Sequence, residues 1–184
     1  MKHPVLATMN PALHALQALH PAQRRQRGLT MIEMAIALAV LAILGALAIP
    51  SFSNRLARER LAANAESLAA DVSEARFDAA RRGQALYVLA GTGPGACWAI
   101  GTQPGCGCEQ VQACQVRRVP GNPKSGIRIV EAHDVRLEPA GTAAVTSAAV
   151  LESPSGERLR VDVIALGRTR ICTAHGPAVK YPAC

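Results

Sequence analysis

An uncharged apolar segment near the N-terminus constrains this chain more than any other feature. Residues 34–54 contain no Asp, Glu, Lys or Arg and consist mainly of Ala, Leu, Ile and Val. About 20 helical residues cross the roughly 30 Å hydrocarbon core of a bilayer, so the segment is long enough to span a membrane. Arg24, Arg25 and Arg27 lie just before it. By the positive-inside rule they hold the N-terminus in the cytoplasm, and residue 55 onward is then expected outside.

A cleaved signal peptide is the competing interpretation of this segment. Such a peptide needs a small-residue cleavage site directly after the apolar run. The residues there are Ile49, Pro50, Ser51 and Phe52, which make a poor site. A membrane anchor that stays with the protein is therefore the preferred interpretation.

All the cysteines follow the apolar segment, so they fall in the portion expected outside, where disulfides persist. They are Cys97, Cys106, Cys108, Cys114, Cys172 and Cys184. A bridge between Cys172 and Cys184 would hold the C-terminal tail. A bond between Cys106 and Cys108 would be strained, so each is expected to pair with Cys97 or Cys114. A four-cysteine zinc site is the alternative, although the usual Cys-x₂-Cys pairs are missing.

Glu33 is an acid placed immediately before the apolar run. At membrane depth such a carboxylate costs about 2.5–3.5 kcal/mol on insertion scales, and acids kept there usually have a function. The alternative is that Glu33 lies at the headgroup boundary, where an acid faces the positive end of the helix dipole.

The residues from Gly28 to Glu33 form a motif that resembles one from a known protein family. A basic leader ends in Gly28 and is followed by Leu29, Thr30, two apolar residues and Glu33. This pattern resembles the processing site of type IV pilins and type II secretion pseudopilins, and Pro50 matches the helix-interrupting proline of that class. The resemblance implies that a prepilin peptidase cleaves between Gly28 and Leu29, and that Leu29 is then N-methylated. It further implies that Glu33 pairs with the N-terminal amine of a neighbouring subunit in the filament.

The stretch after Pro50 is expected to continue the same helix. It reaches Arg82 without Gly or Pro and is rich in good helix formers. An apolar stripe at helical spacing is formed by Leu61, Leu68, Val72, Ala75 and Ala79. Gly83 follows as a C-cap. We therefore expect one helix over residues 30–82, with a transmembrane half at 29–54 and a periplasmic half at 55–83, after a leader at 1–28.

Residues 84–184 are expected to form a β-rich domain stapled by disulfides. Short apolar or alternating runs separated by turn residues predict strands, and residues 105–123 are expected to be a loop. The expected strands are 84–90, 97–101, 126–132, 135–137, 148–152, 158–166 and 168–173. A long helix laid on an antiparallel sheet is an α+β arrangement, which is also the type IV pilin-like fold that the resemblance implies.

The composition argues against an enzyme. Beyond residue 28 only His133 and His175 remain for acid–base chemistry. The sequence has no phosphate loop, no His-Glu-x-x-His and no Gly-x-Ser-x-Gly motif. We therefore expect no catalytic residues, no cofactor and no metal, and a protein built for assembly or binding.

The C-terminal Gly167-Arg168-Thr169-Arg170 motif is the candidate binding site. In a strand, Arg168 and Arg170 project to one face, and guanidinium groups there suit phosphates. A solvated strand face is the competing interpretation. The chain has a formal charge of +7. Four of its basic residues and none of its acids precede Gly28, so the remainder carries only +3, which is modest for a DNA-binding protein.

Together with the N-terminal pattern, this motif resembles the FimT branch of the FimT/GspH minor pilins. The resemblance implies uptake of double-stranded DNA in natural transformation, with contacts from Arg168 and Arg170 and weaker ones from Arg160 and Lys180. It also implies an inner-membrane protein that joins other major and minor pilins in a pilus at the cell surface. The alternative is a structural protein without DNA binding, either a GspH-like pseudopilin of a type II secretion system or a minor pilin that acts in pilus assembly.

Overall fold

A computed structural model describes residues 30–144, 146–177 and 180–184. The chain divides into two compact units between Leu44 and Gly45. Helix α1 runs over Met31–Arg82 and is continuous through the position of Pro50. It ends at Gly83, whose φ of +66° is the left-handed conformation that glycine adopts without strain. The expected helix is therefore present, and it begins at Met31, one residue after its predicted start.

The N-terminal part of α1 is long and apolar enough to cross a membrane. Its large apolar side chains are exposed to solvent rather than packed inside the protein, which is the arrangement of a segment that lipid or another protein covers. They include Met31, Ile32, Met34, Ile36, Leu38, Val40, Leu41, Ile43 and Leu44.

The C-terminal part of α1 packs against a β domain. The predicted stripe of Leu61, Leu68, Val72, Ala75 and Ala79 is fully buried and belongs to one core with the apolar faces of the strands. Burial of a side chain such as Leu68 stabilises the fold by about 1.5–3 kcal/mol. The 3.6-residue period of the stripe therefore determines which side of the helix meets the sheets.

The β domain contains nine strands among the described residues, arranged in two antiparallel sheets. One sheet has the order β4-β3-β1-β6 and the other has the order β2-β5-β7-β8-β9. The strands are β1 Leu86–Gly91, β2 Gly93–Pro94, β3 Cys97–Gly101, β4 Gln115–Val119, β5 Arg128–Ala132, β6 Val135–Leu137, β7 Thr146–Glu152, β8 Arg158–Val163 and β9 Thr169–His175. The α+β class with a long N-terminal helix is confirmed.

Two features of the sheets differ from the sequence-based expectation. The strands form two sheets rather than one, and the chain passes between them several times, for example at His133 and Asp134, the two residues that separate β5 from β6. The expected loop at 105–123 contains strand β4, an edge strand that pairs with β3. Two consecutive arginines, Arg117 and Arg118, interrupt the alternation of apolar and polar residues in β4 and conceal it in the sequence.

A polar contact inside the core joins α1 to the four-stranded sheet. Asp71 is buried, although the sequence places it off the apolar stripe. Its Oδ2 accepts a hydrogen bond from the indole Nε1 of the buried Trp98 at 2.7 Å, and its Oδ1 lies 3.1 Å from Nη2 of Arg117 on β4. Burial of a carboxylate requires such partners, so this contact fixes the helix against β3 and β4.

Candidate functional site

The Gly-Arg-x-Arg motif lies where the β8–β9 hairpin enters its second strand. The Ile164 amide donates to the Arg168 carbonyl at 2.9 Å, and the Gly167 amide donates to the Ile164 carbonyl at 2.7 Å. Strand β9 therefore begins at Thr169, one residue later than expected, and Arg168 is the last residue of the turn. Both Arg168 and Arg170 are exposed.

Gly167 is required at its position for two reasons. Its φ of +66° disfavours any other residue. A Cβ added there would also lie 2.8 Å from Cδ of Arg76 and 2.8 Å from the Gly141 carbonyl oxygen. Arg76 comes from α1 and donates from Nε to that same carbonyl at 2.9 Å. The turn that carries Arg168 thus rests directly on the Arg76 side chain.

Strand β8 places its arginines on the outward face of the five-stranded sheet. Leu159, Val161 and Val163 are buried in the core, which leaves the alternate residues on the opposite face. Asp162 is paired across the strands with Arg170, and Arg160 with Cys172. The alternation predicted from the sequence is confirmed.

Asp162 lies between two arginines of this face. Its Oδ1 is 2.9 Å from Nε of Arg160, and its Oδ2 accepts from Nη2 of Arg170 at 3.2 Å. Its side chain is only 13% exposed, whereas that of Arg170 is 59% exposed. The carboxylate therefore lies beneath the guanidinium groups rather than beside them.

A second unit of the same kind lies on the same face. Glu152 on β7 is paired with Arg128 on β5 and with Arg158 on β8. Nε of Arg128 donates to its Oε1 at 2.9 Å, and Nε of Arg158 donates to its Oε2 at 2.5 Å. The Arg128 hydrogen bonds, followed by that of Arg158, hold the pKa of Glu152 below its usual value. Glu152 is therefore anionic at neutral pH.

Unlike Arg168 and Arg170, Lys180 is engaged in a contact with α1. Its Nζ lies 2.9 Å from Oε1 of Glu66 on α1, and the Tyr181 hydroxyl donates to the same oxygen. The Tyr181 hydrogen bond, followed by that of Lys180, lowers the pKa of Glu66. Glu66 is ten residues, or about 15 Å of helix rise, from the Arg76 that supports the motif. Lys180 is thus part of a contact that fixes the tail to α1.

The N-terminal candidate site is described only in part. Gly28 and Leu29 lie outside the described residues. Glu33 is exposed in the first turn of α1, and its amide donates to Oγ1 of Thr30 at 3.3 Å. Thr30 therefore acts as an N-cap, and an acid three residues later is favoured there by the helix dipole.

The six cysteines form three disulfides. Cys172 is joined to Cys184, and the Cys184 amide donates to the Thr173 carbonyl, so the tail runs beside β9. The other bridges are Cys97–Cys108 and Cys106–Cys114. All the thiols are thus consumed, and the alternative of a four-cysteine zinc site is wrong for this structure.

Two family models match the chain. The prokaryotic N-terminal methylation motif matches residues 23–49. The model described as type II transport protein GspH matches residues 64–167, which is more than half of the chain. The chain belongs to the GspH family.

Other comparisons add little to this assignment. The crystal structure of the type IV minor pilin FimU of Pseudomonas aeruginosa is similar to the GspH-family chain at 18% identity and a TM-score of 0.48, over 66% of this chain and 97% of that one. None of the curated proteins matches the chain significantly.

Membership of the family defines the general class of function. GspH-family proteins are structural pilin-like subunits and not enzymes. The methylation motif and the apolar start of α1 together indicate single-pass membrane anchoring, prepilin-peptidase processing and assembly with other pilin-like subunits.

Two residues on the outward face of this GspH-family chain, Arg128 and Glu152, were not predicted as site residues from the sequence. Arg128 is brought to Glu152 by pairing between β5 and β7, and Glu152 is brought to Arg158 by the hairpin of β7 and β8. One signal was available, since Glu152 and Arg158 flank the tight turn at 153–156 and so face each other in a hairpin. Arg128 lies 24 residues from Glu152 and had no local signal.

Proposed function

We propose that this GspH-family chain is a minor pilin of a type IV pilus that binds extracellular double-stranded DNA for uptake in natural transformation. Arg168 and Arg170 supply the principal phosphate contacts, and Arg160 contributes beside them. Lys180 is the weaker contact of the four, because its ammonium is already paired with Glu66.

The observation that carries this proposal is the layering of charge on the outward face. The carboxylate of Asp162 is largely covered, while its partner Arg170 is exposed, as is Arg168 in the adjoining turn. A polyanion that approaches from solvent meets guanidinium groups first. These groups bind phosphates with two parallel hydrogen bonds, which makes arginine well suited to such a face.

The topology of the proposed protein follows from its N-terminal half. Residues 1–28 are the leader, which a prepilin peptidase removes between Gly28 and Leu29 before methylation of Leu29. Residues 29–54 cross the inner membrane with the N-terminus in the cytoplasm, residues 55–83 are the periplasmic half of the helix, and 84–184 form the periplasmic domain. Three disulfides in that domain support an oxidising compartment.

Glu33 is proposed to act in assembly. Its side chain is exposed at the start of α1, where a carboxylate can pair with the N-terminal amine of a neighbouring subunit. Glu33→Ala is then expected to insert into the membrane but to be recovered at a reduced level in sheared pili.

A structural pseudopilin of a type II secretion system is the second candidate function. The observation in its favour is the modest charge of +3 beyond residue 28. Natural transformation of the native host distinguishes the two candidate functions. A chromosomal Arg168→Ala/Arg170→Ala variant should take up less DNA while pili still assemble, and Arg136→Ala should take up as much as wild type. Equal uptake by wild type and the double variant would favour the structural role.

A further inference from the structure

The outward face of the five-stranded sheet carries two units built on the same plan. In each, one largely buried carboxylate is paired with two arginines, which reach Glu152 from the strands on both sides, whereas Asp162 takes one from its own strand and one from β9. Asp162 holds Arg160 and Arg170 in the first unit, and Glu152 holds Arg128 and Arg158 in the second. The Gly-Arg-x-Arg motif accounts for the first unit alone.

We propose that Arg128 and Arg158 form a second phosphate-binding site on this face and that one DNA duplex contacts both units at once. This inference rests on the proposed function and extends it, since it assigns two further contact residues and the width of the surface that the nucleic acid covers.

The exposures of the side chains support a role in binding. Arg128 is 58% exposed and Arg158 is 47% exposed, whereas Glu152 beneath them is 7% exposed. The guanidinium groups therefore present unused N–H donors to solvent while the carboxylate fixes their position. Arginines held in this way lose less side-chain freedom when they bind a phosphate.

The spacing of the two units suits a duplex. Arg158 and Asp162 are four residues apart on β8, which is about 14 Å at the rise of an antiparallel strand. The major groove of DNA is roughly 12 Å wide. The two units are thus far enough apart to reach the phosphate backbones on both sides of one groove. Arg160 of the first unit lies on the same strand face, between Arg158 and Asp162.

An acidic residue on the same outward face limits how far the proposed DNA-binding surface extends across the sheet. Glu131 on β5 is paired with Val150 and so faces outward, and its carboxylate lies 3.0 Å from Nε2 of His133. Strand β5, which carries this acid, is separated by β7 and β8 from β9, the edge strand that follows Arg168. We therefore expect the duplex to lie across β7, β8 and β9, with Arg128 at the edge of the contact.

The test is a salt series with the full chain in detergent micelles and a labelled duplex of about 24 base pairs. Arg128→Gln/Arg158→Gln removes the second unit. A second variant adds Glu152→Gln, so that no unpaired carboxylate is left buried. The matched control is Arg81→Gln/Arg136→Gln, two exposed arginines that are also paired with acids but lie on α1 and β6.

Each phosphate contact contributes about 0.9 to the slope of log affinity against log salt concentration. Both test variants are expected to lower that slope by about 2, and the control variant to leave it at the wild-type value. The inference is overturned if wild type binds the duplex and the triple variant, with unchanged Trp98 fluorescence and thermal unfolding, keeps the wild-type slope. If wild type itself does not bind at low salt, the proposed function fails as well, so the two failures are distinguishable.

Discussion

Asp162 and Arg170 face each other across strands β8 and β9, with 3.2 Å between Oδ2 and Nη2. The pair places a negative charge within the group of arginines that is proposed to bind DNA. The carboxylate orients the guanidinium groups of Arg160 and Arg170, and it also neutralises part of their charge. A variant that keeps the shape of the Asp162 side chain and removes its charge distinguishes these two effects.

Asp162→Asn is therefore expected to raise DNA affinity about two- to fivefold at low salt. The amide oxygen still accepts from a guanidinium N–H, while the loss of the ion pairs with Arg160 and the exposed Arg170 frees these groups for phosphate, a net gain of about 0.5–1 kcal/mol. Fluorescence anisotropy with the duplex measures the change. Glu138→Gln, which removes the acid partner of Arg136 on β6, is the control and should leave affinity unchanged. Weaker binding by Asp162→Asn would show that the negative charge itself is needed.

Asp71→Ala should lower the free energy of unfolding by about 1–3 kcal/mol, because it leaves the buried indole N–H of Trp98 without its acceptor. Asp78→Ala is the matched control on the same helix. Asp78 is paired with the highly exposed Arg81 three residues on, so its loss should cost less than about 0.5 kcal/mol. Denaturant unfolding followed by Trp98 fluorescence compares the two variants, and equal losses would contradict the role given to the buried contact.

The lowered pKa of Glu152 predicts a loss of stability in acid. A carboxyl group whose pKa is lower in the folded state stabilises the fold above the unfolded pKa of about 4.5, and this contribution is lost as the pH falls through the folded value. Wild type should therefore lose more unfolding free energy than Glu152→Gln between pH 6 and pH 3. Parallel curves for the two proteins would indicate that the arginines do not stabilise the charged form.

Gly28→Glu should leave the leader attached, since the prepilin peptidase is expected to recognise the junction of Gly28 and Leu29. Mass spectrometry of the protein from wild-type cells should identify an N-methylated Leu29 at the start of the mature chain. A mature N-terminus after residue 50 would instead indicate an ordinary signal peptide.

Local patterns in the sequence were enough to predict α1 and the strands β8 and β9, although β8 ends at Val163, three residues before its predicted end. The stripe from Leu61 to Ala79 has a helical period, and the alternation of Leu159, Val161 and Val163 identifies the inward face of β8. Both patterns depend on neighbouring residues of one element, and burial of the apolar face is the dominant force on each.

Contacts between distant segments could not be predicted in the same way. The pairing of Arg128 with Glu152 depends on the order of strands in the sheet, which the sequence does not contain locally. The sequence places Asp71 off the apolar stripe of α1, which indicates an exposed residue. It is buried because its partners come from β3 and β4. Asp78 and Arg82 have the i,i+4 spacing of a favourable helix pair, yet Asp78 is paired with Arg81, since both arginines are within reach on the helix surface.

The salt dependence of duplex binding by the Arg168→Ala/Arg170→Ala variant tests the central claim most directly. The full chain in micelles is titrated with labelled duplex DNA at several salt concentrations, beside wild type and the Arg81→Ala/Arg136→Ala control. If Arg168 and Arg170 contact phosphates, the double variant binds more weakly and the slope of log affinity against log salt falls by about 2, while the control matches wild type. A folded double variant with the affinity and slope of wild type would contradict it.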